Sequence, residues 1–300
     1  MNRLGWQIVW GTCCIQRAAL LQWPHMHAHG SHGNARGTKG APGQDAAIHG
    51  ARWDVVHGGY FSDAAVAKPL LEKIEEAVAR TRPAVMVDLG GGTGFLLSQL
   101  AARGACGGIR LVNVDSSNDQ LAAVHSRAVE CVRASIDRFT RADVAAENAC
   151  VVWIMRSALH YFGEQGLLPV LEHLRRQAKE GEVFVHQTAC FEHAREARCL
   201  NTLYRGMHTG KWYPATAQLK RVLDEAGWRV GEMSAAPALP LTNHDLAMRY
   251  GMTEEAMACI RADLERHFGG IAGVLDVSPD RFCAYLHYRI AVCTAVQPGR

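Results

Sequence analysis

The chain has 300 residues and 48% hydrophobic content, ample for a core in one large domain or two small ones. Its formal net charge of +3 is too mild for a nucleic-acid footprint, which needs a clustered basic face. No run of 18 apolar residues occurs, so no membrane-spanning helix is expected.

Residues 1–50 are weakly apolar and then rich in Gly, His and Ala, and read as a disordered tail with nothing to bury. His25, His27, His29 and His32 within it could bind a metal, but no metal site is assigned. Ten cysteines are scattered along the chain with no C-x-x-C pair, which excludes zinc-ribbon and thioredoxin readings and suits a reducing cytoplasm. Residues 51–83 are expected to form a helical cap. Trp53, Tyr60 and Phe61 precede a helix with Ser62 as N-cap, and Val66, Leu70 and Ile74 recur at helical spacing. Pro69 would open a second helical segment or kink the first, and Pro83 stops the helix.

Residues 84–115 read as strand, glycine turn, helix, strand. Ala84–Leu89 is short, apolar and β-branched, as a strand buried on both faces should be. Gly90, Gly91, Gly92 and Gly94 follow, where the backbone can turn through positive φ and a ligand can approach closely. Phe95–Arg103 has helical spacing, with free N–H groups at its start. Ile109–Val114 is a second buried strand ending on Asp115, placed to accept from ribose hydroxyls. The dinucleotide fingerprint G-x-G-x-x-G, counted from Gly90, fails at Phe95. The spacing is instead D-x-G-x-G-x-G: Asp88, Gly90, Gly92, Gly94. A carboxylate at Asp88 would repel a pyrophosphate and attract a cationic ligand.

This stretch resembles motif I of the class I S-adenosylmethionine-dependent methyltransferases. The resemblance covers roughly residues 51–235 and implies an α/β fold: a seven-stranded, mostly parallel sheet with an antiparallel last strand and helices on both faces. It implies S-adenosylmethionine as cofactor, held by Asp88, Gly90, Gly92, Gly94 and Asp115. It also implies that the leading helix lies over the cofactor, with Tyr60 as the aromatic that touches it, and that Asp143 accepts from the adenine amino group. Where the family often has an apolar pair on the adenine, this chain has Gln120-Leu121.

Farther along, Ile136–Thr140 is expected as the third strand and Cys150–Met155 as the fourth. The segment Arg156-Ser157-Ala158-Leu159-His160-Tyr161-Phe162 follows and resembles that of small-molecule methyltransferases related to the quinone C-methylating enzymes. It lacks the N/D-P-P-Y/F motif that grips a flipped base. His160 and Tyr161 are the catalytic candidates, to orient an acceptor or take its proton, and His160 could equally cap the next helix. Arg156 is counted with the cofactor set. The fifth strand is expected at Glu182–Thr188, with His186 and Gln187 at its exposed end, and helices at 167–180, 191–207 and from Pro214 to Gly227. Arg205, Trp212 and Tyr213 would bind the acceptor, with Arg156 and Lys211 adding to a cationic rim. The sixth strand is expected at Trp228–Met233 and the seventh at Phe282–Val292.

The expected organisation is therefore a tail (1–50), a helical cap (51–83), a cofactor-binding core (84–235), a helical insert or lid (236–281, with a helix at Thr253–His267) and the last strand with a C-terminal tail (282–300). The partner is a small-molecule methyl acceptor, with a homodimer through the insert as an alternative use of that element. The cationic rim suits a carboxylate-bearing acceptor such as an amino acid methylated on N or S. O- or C-methylation in secondary metabolism, a non-catalytic protein of this fold and a nicotinamide oxidoreductase are the alternatives.

Overall fold

A computed structural model describes residues 56–297. The expectations for the tail, its histidines and Trp53 lie outside the described residues.

An eight-stranded sheet forms the spine: β1 Val85–Leu89, β2 Arg110–Asp115, β3 Val129–Arg133, β4 Val151–Arg156, β5 Val183–Ala189, β6 Trp228–Thr242, β7 Leu275–Val277 and β8 Phe282–Ala295. The order is β3-β2-β1-β4-β5-β8-β6, with β7 also on β8. Strands β1 to β5 are parallel to one another, and β8 runs antiparallel to β5, β6 and β7. The eighth strand, absent from the sequence-based expectation, is the three-residue β7 inside the insert. Every residue of β1 and β5 is buried, as expected of parallel strands covered on both faces.

The helices are α1 Ala64–Thr81, α2 Phe95–Ala102, α3 Asn118–Ala122, α4 Arg141–Val144, α5 Gly163–Gln177, α6 Ala194–Gly206, α7 Thr216–Glu225, α8 Asn243–Tyr250 and α9 Glu254–Phe268. Asp63, not Ser62, caps α1, its carboxylate accepting from Ala65 N at 2.7 Å. The helix runs unbroken through Pro69. Leu70, Leu71 and Ile74 of α1 pack with Leu96, Leu97 and Leu100 of α2 on one face of the sheet. Leu167, Leu171, Leu219, Leu223 and Trp228 cover the other. A third cluster joins α6 to the insert and the far ends of β6 and β8, through Leu203, Tyr213, Leu246, Met257, Leu264 and Phe282.

Two strands differ from expectation. The third is Val129–Arg133, and Ile136 and Phe139 are buried loop residues. This edge strand buries only Val129 fully and exposes Glu130, which pairs with Arg110, so its pattern does not read as a core strand. The sixth strand continues to Thr242 across two register shifts, one of them at Ala236/Leu239. Pro237 lies in that shift and Pro240 on the sheet edge, the positions where a strand tolerates a residue with no N–H to donate. Among the described residues no helix is long and apolar enough to cross a membrane.

Candidate active site

The cradle is built where β1 and β2 end. Gly90, Gly92 and Gly94 take φ of 69°, 57° and 73°, the left-handed region that side chains avoid. Gly91 is fixed for a different reason: a Cβ there would collide with the Asn113 amide and fall 2.5 Å from Asp88 Oδ2. Asn113, fully buried within β2, donates from Nδ2 to Gly92 O at 2.9 Å and pins the turn. Asp115 accepts from Gly92 N at 3.0 Å and Ser117 N at 2.8 Å, so its carboxylate is held at the lip of the turn.

Asp88 is 1% exposed, and neither carboxylate oxygen has a hydrogen-bond partner among the described residues. Burial first, and then the like charge of Asp115, raise its pKa to about 7, against the pull of Arg156. An orphaned carboxyl in a cleft with Gly90, Gly91, Gly92, Phe61 and Arg156 is a site for a cationic group. Arg156, at the end of β4, donates to Phe61 O at 2.9 Å and Tyr60 O at 3.2 Å. Its guanidinium lies 5.4–5.7 Å from the ring centres of Tyr60, Phe61 and Phe95. Burial pulls its pKa down, opposed by Tyr60, Tyr288 and Asp88.

A second pocket adjoins the first. Ser157 takes φ of 59°, its N–H on Gln187 O at 2.8 Å and its hydroxyl 3.0 Å from that of Tyr288. This left-handed residue directs the chain into a 3-10 turn at Leu159–Phe162, which carries His160 and Tyr161. A strained residue at the mouth of a site is a recurrent functional feature. His160 stacks on Tyr213 at 5.4 Å and sits 4.2 Å from the Tyr161 ring. The pocket also takes in Ser157, Phe61, Lys211, Arg249 and Tyr204. Phe61 walls both this pocket and the glycine cleft.

The expected residues fall into two groups. Asp88, Gly90, Gly92 and Arg156 line the cleft, with Gly94 and Asp115 flanking it, and His160, Tyr161 and Tyr213 line the adjoining pocket. Four others do not. Asp143 caps its own helix, accepting from Thr140 N at 2.7 Å and Thr140 Oγ1 at 2.9 Å. Its helix α4 is tied to Arg110 and Glu182, where β2 and β5 begin, at the opposite edge of the sheet from the glycine turn. The side chains that do lie against Gly90 are Ile136 and Ala158. Tyr60 lines neither pocket. Its hydroxyl donates to Pro237 O at 2.5 Å, its ring stacks on Tyr288, and burial raises its pKa to about 12. Although the Gln187 amide is near enough to influence that hydroxyl, the two do not meet hydrogen-bond geometry. Arg205 is exposed, with its guanidinium on Thr202 of its own helix. Trp212 packs against the main core. His186, the weaker candidate on β5, is fully buried against Thr188 and Phe184, and burial lowers its pKa to about 3.

Sequence reasoning missed Asn113, Arg249 and Tyr250, and named Gly91 only as part of the glycine turn and Phe61 only as an aromatic ahead of α1. A polar Asn inside the apolar run Leu111–Val114 was a legible signal. Arg249 and Tyr250 lie in an insert without a motif and gave none. Among the described residues no group of three or more His, Cys, Asp or Glu could hold a metal ion.

The family model described as "Methyltransferase domain" matches residues 86–181. No curated protein matches the sequence. Among solved structures the chain is similar to the YcgJ protein of Bacillus subtilis (10% identity, 77% of this chain and 99% of that chain, TM-score 0.57). It is similar to the same degree to a proposed methyltransferase from Bacillus halodurans C-125 (14% identity, 76% of this chain and 99% of that chain, TM-score 0.57). A more distant likeness is to a SAM-dependent methyltransferase from Geobacter sulfurreducens in complex with S-adenosyl-L-homocysteine (17% identity, 76% and 90% of the two chains, TM-score 0.47). At these identities the structural likeness is one of fold.

Proposed function

Since residues 86–181 match a methyltransferase-domain model, we propose that the chain is an S-adenosylmethionine-dependent methyltransferase that methylates a small molecule bearing a carboxylate, with an amino acid methylated on N or S as the model acceptor. The observation that carries this reading is the second pocket. It is enclosed by side chains, meets the glycine cleft at Phe61, and has Lys211 and Arg249 among its lining residues. Basic residues in a side-chain-lined recess suit a small anionic molecule, and with a cavity of only about 10 Å³ the recess must open to admit one.

The cofactor supplies a methyl carbon that its sulfonium already makes electrophilic. The chain's own residues have to bind, align and exclude water. In this reading Asp88 holds the cofactor's ammonium, Asp115 accepts from its ribose hydroxyls, and Gly90, Gly92 and Gly94 let the backbone approach it. Arg156 fixes Phe61 and Tyr60 at the junction of the two pockets by gripping their carbonyls. Ile136, beside Gly90, is the apolar side chain placed to pack on a base. His160 orients the acceptor and takes a proton from an acceptor that must lose one, with Tyr213 stacked against it and Tyr161 tilted beside it. The insert, with α8 and α9, serves as a lid over the acceptor. All eight described cysteines carry free thiols, which supports a reducing cytoplasm as the setting.

O- or C-methylation of a ring-bearing acceptor is the second reading. It is favoured by the pocket's Phe61, Tyr161, Tyr204, Tyr213 and Tyr288 rings. A thermal-shift screen of S-adenosylmethionine, S-adenosylhomocysteine, NAD and NADP tests the cofactor, because a ligand raises Tm only when it binds the folded state. Methyl transfer to a panel of amino acids and small phenols tests the acceptor. Turnover of neutral phenols alone would reject the carboxylate reading.

A further inference from the structure

We propose that Arg156 reads the carboxylate of the cofactor while Asp88 holds its ammonium, so that the glycine cleft selects a ligand with an intact α-amino acid end. The inference rests on the methyl-transfer reading above and adds to it the residue that sets cofactor specificity.

Asp88 and Arg156 stand near the ends of adjacent parallel strands. Asp88 pairs in register with Ile154, and Arg156 follows two residues beyond. Side chains alternate along a strand, and Met86, Val152 and Ile154 of the same two rows pack in the α1–α2 cluster. Both charged side chains therefore point to that side of the sheet, and both line one cleft with Gly90, Gly91 and Gly92. Arg156 is near enough to pull the Asp88 pKa down. Yet the two are not bonded to each other: both Asp88 oxygens and Arg156 Nε are buried without a hydrogen-bond partner.

Opposite charges taken out of water offset that cost best by pairing directly, and holding them apart leaves each unsatisfied. A ligand that carries the complementary two charges satisfies both at once. An α-amino acid end is such a ligand, its ammonium on Asp88 and its carboxylate on the guanidinium. Asn113 supports the ammonium end. Its Oδ1 is a further buried acceptor without a partner. It and Asp88 Oδ2 lie 2.3 and 2.5 Å from the point where a Cβ of Gly91 would stand. Neighbouring acceptors of this kind call for a group that only donates, as an ammonium does. At the other end, Arg156 is held by the neutral carbonyls of Phe61 and Tyr60. They orient the guanidinium, leave its charge intact and occupy only part of its donor fork. The cleft encloses about 90 Å³, room for several water-sized groups, and so for an ammonium, a carboxylate and the carbon between them. Phe95 and Leu96 add an apolar wall for the methylene stem. Since one guanidinium would hold both the carboxylate and the carbonyls of Tyr60 and Phe61, the cofactor's own charge also steadies the wall beside it.

The test is calorimetric titration of the full chain with S-adenosylhomocysteine, with its decarboxylated analogue, and with methylthioadenosine, which lacks the amino acid end. The wild type should bind S-adenosylhomocysteine about tenfold or more tightly than the decarboxylated analogue, as expected of a charge-assisted contact. Arg156→Met should erase most of that preference, and Arg156→Lys, which keeps the charge without the fork, should retain part of it. Asp88→Asn should weaken both ammonium-bearing probes and leave methylthioadenosine unchanged. The ratio of the first two affinities is the deciding readout, because a merely structural role for Arg156, through Tyr60 and Phe61, would weaken every probe together. Equal binding of those two probes by the wild type, or the full preference kept in Arg156→Met, would overturn the proposal. Failure of the wild type to bind any of the three probes would instead refute the methyltransferase reading beneath it. If Arg156→Met does not fold, Arg156→Gln decides by the same ratio.

Discussion

The Asp88 carboxylate lies directly beneath Gly91, so close that a Cβ on the glycine would fall 2.5 Å from Oδ2. The turn and the acid are fitted to each other, and neither can change alone. Gly91→Ala should force Asp88 and Asn113 aside, destabilising the fold by about 1–3 kcal/mol, the range of overpacked sites. It should also weaken S-adenosylmethionine binding, because the same shift moves the carboxylate. Calorimetry beside a denaturation curve checks both. Unaltered affinity would show that the fit is incidental.

Asp88 should also make cofactor binding depend on pH. In the unliganded fold its pKa is about 7, against the usual 3.8. For an acid raised in this way the folded state keeps a proton that the unfolded chain releases. Its contribution to stability is therefore full below the unfolded value and lost as pH rises through about 7. A cationic ligand group favours the ionised form, so affinity should rise between about pH 6 and about pH 8, with proton release on binding. Asp88→Asn should remove the slope, the proton release and about 10- to 100-fold of affinity, the range for a charge-assisted contact. Titration in buffers of differing ionisation enthalpy measures the protons directly.

The cradle was legible because its chemistry is local. A carboxylate, alternating glycines and a second carboxylate one βαβ unit later sit within 28 residues, and each glycine with positive φ has a steric reason to be glycine. Asp143 misled because an acid beside a threonine serves equally well as a helix cap, and sequence does not say at which edge of a sheet a loop lies. Tyr60 and Phe61 are adjacent and alike in composition, and only the direction each side chain takes assigns one to the wall and the other beneath it. The insert was unreadable for a deeper reason. Tyr250 meets Lys211 about 40 residues away in the chain, a relationship that only tertiary packing creates.

The acceptor side separates cleanly from surface charge. His160→Asn should lower kcat by about 100-fold if the imidazole takes a proton, with S-adenosylmethionine affinity unchanged. Arg205→Ala should change neither quantity, because its guanidinium is exposed and rests on Thr202. Steady-state kinetics with the best acceptor of the panel compares the two variants. A large effect at Arg205 would return it to the pocket rim.

Stability has a separate centre at the other edge of the sheet. Glu182 accepts from Arg141 at 2.7 and 2.9 Å, from Val151 N at 3.0 Å, from Lys179 N at 2.9 Å and from Trp153 Nε1 at 3.0 Å. Removing its charge strands a largely buried guanidinium, so Glu182→Gln should cost about 3–5 kcal/mol, as for other broken buried pairs. Cofactor affinity in the protein that remains folded should be normal, because the network lies where β4 and β5 begin. Urea denaturation with a parallel binding titration checks this.

Phe61 is a shared partition, and its carbonyl is also held by Arg156. A wall common to two chambers cannot be set independently by each tenant. Whichever molecule enters first fixes the face presented to the second, so this enzyme should follow a compulsory sequence of arrivals, and its product-inhibition pattern should disclose which guest leads.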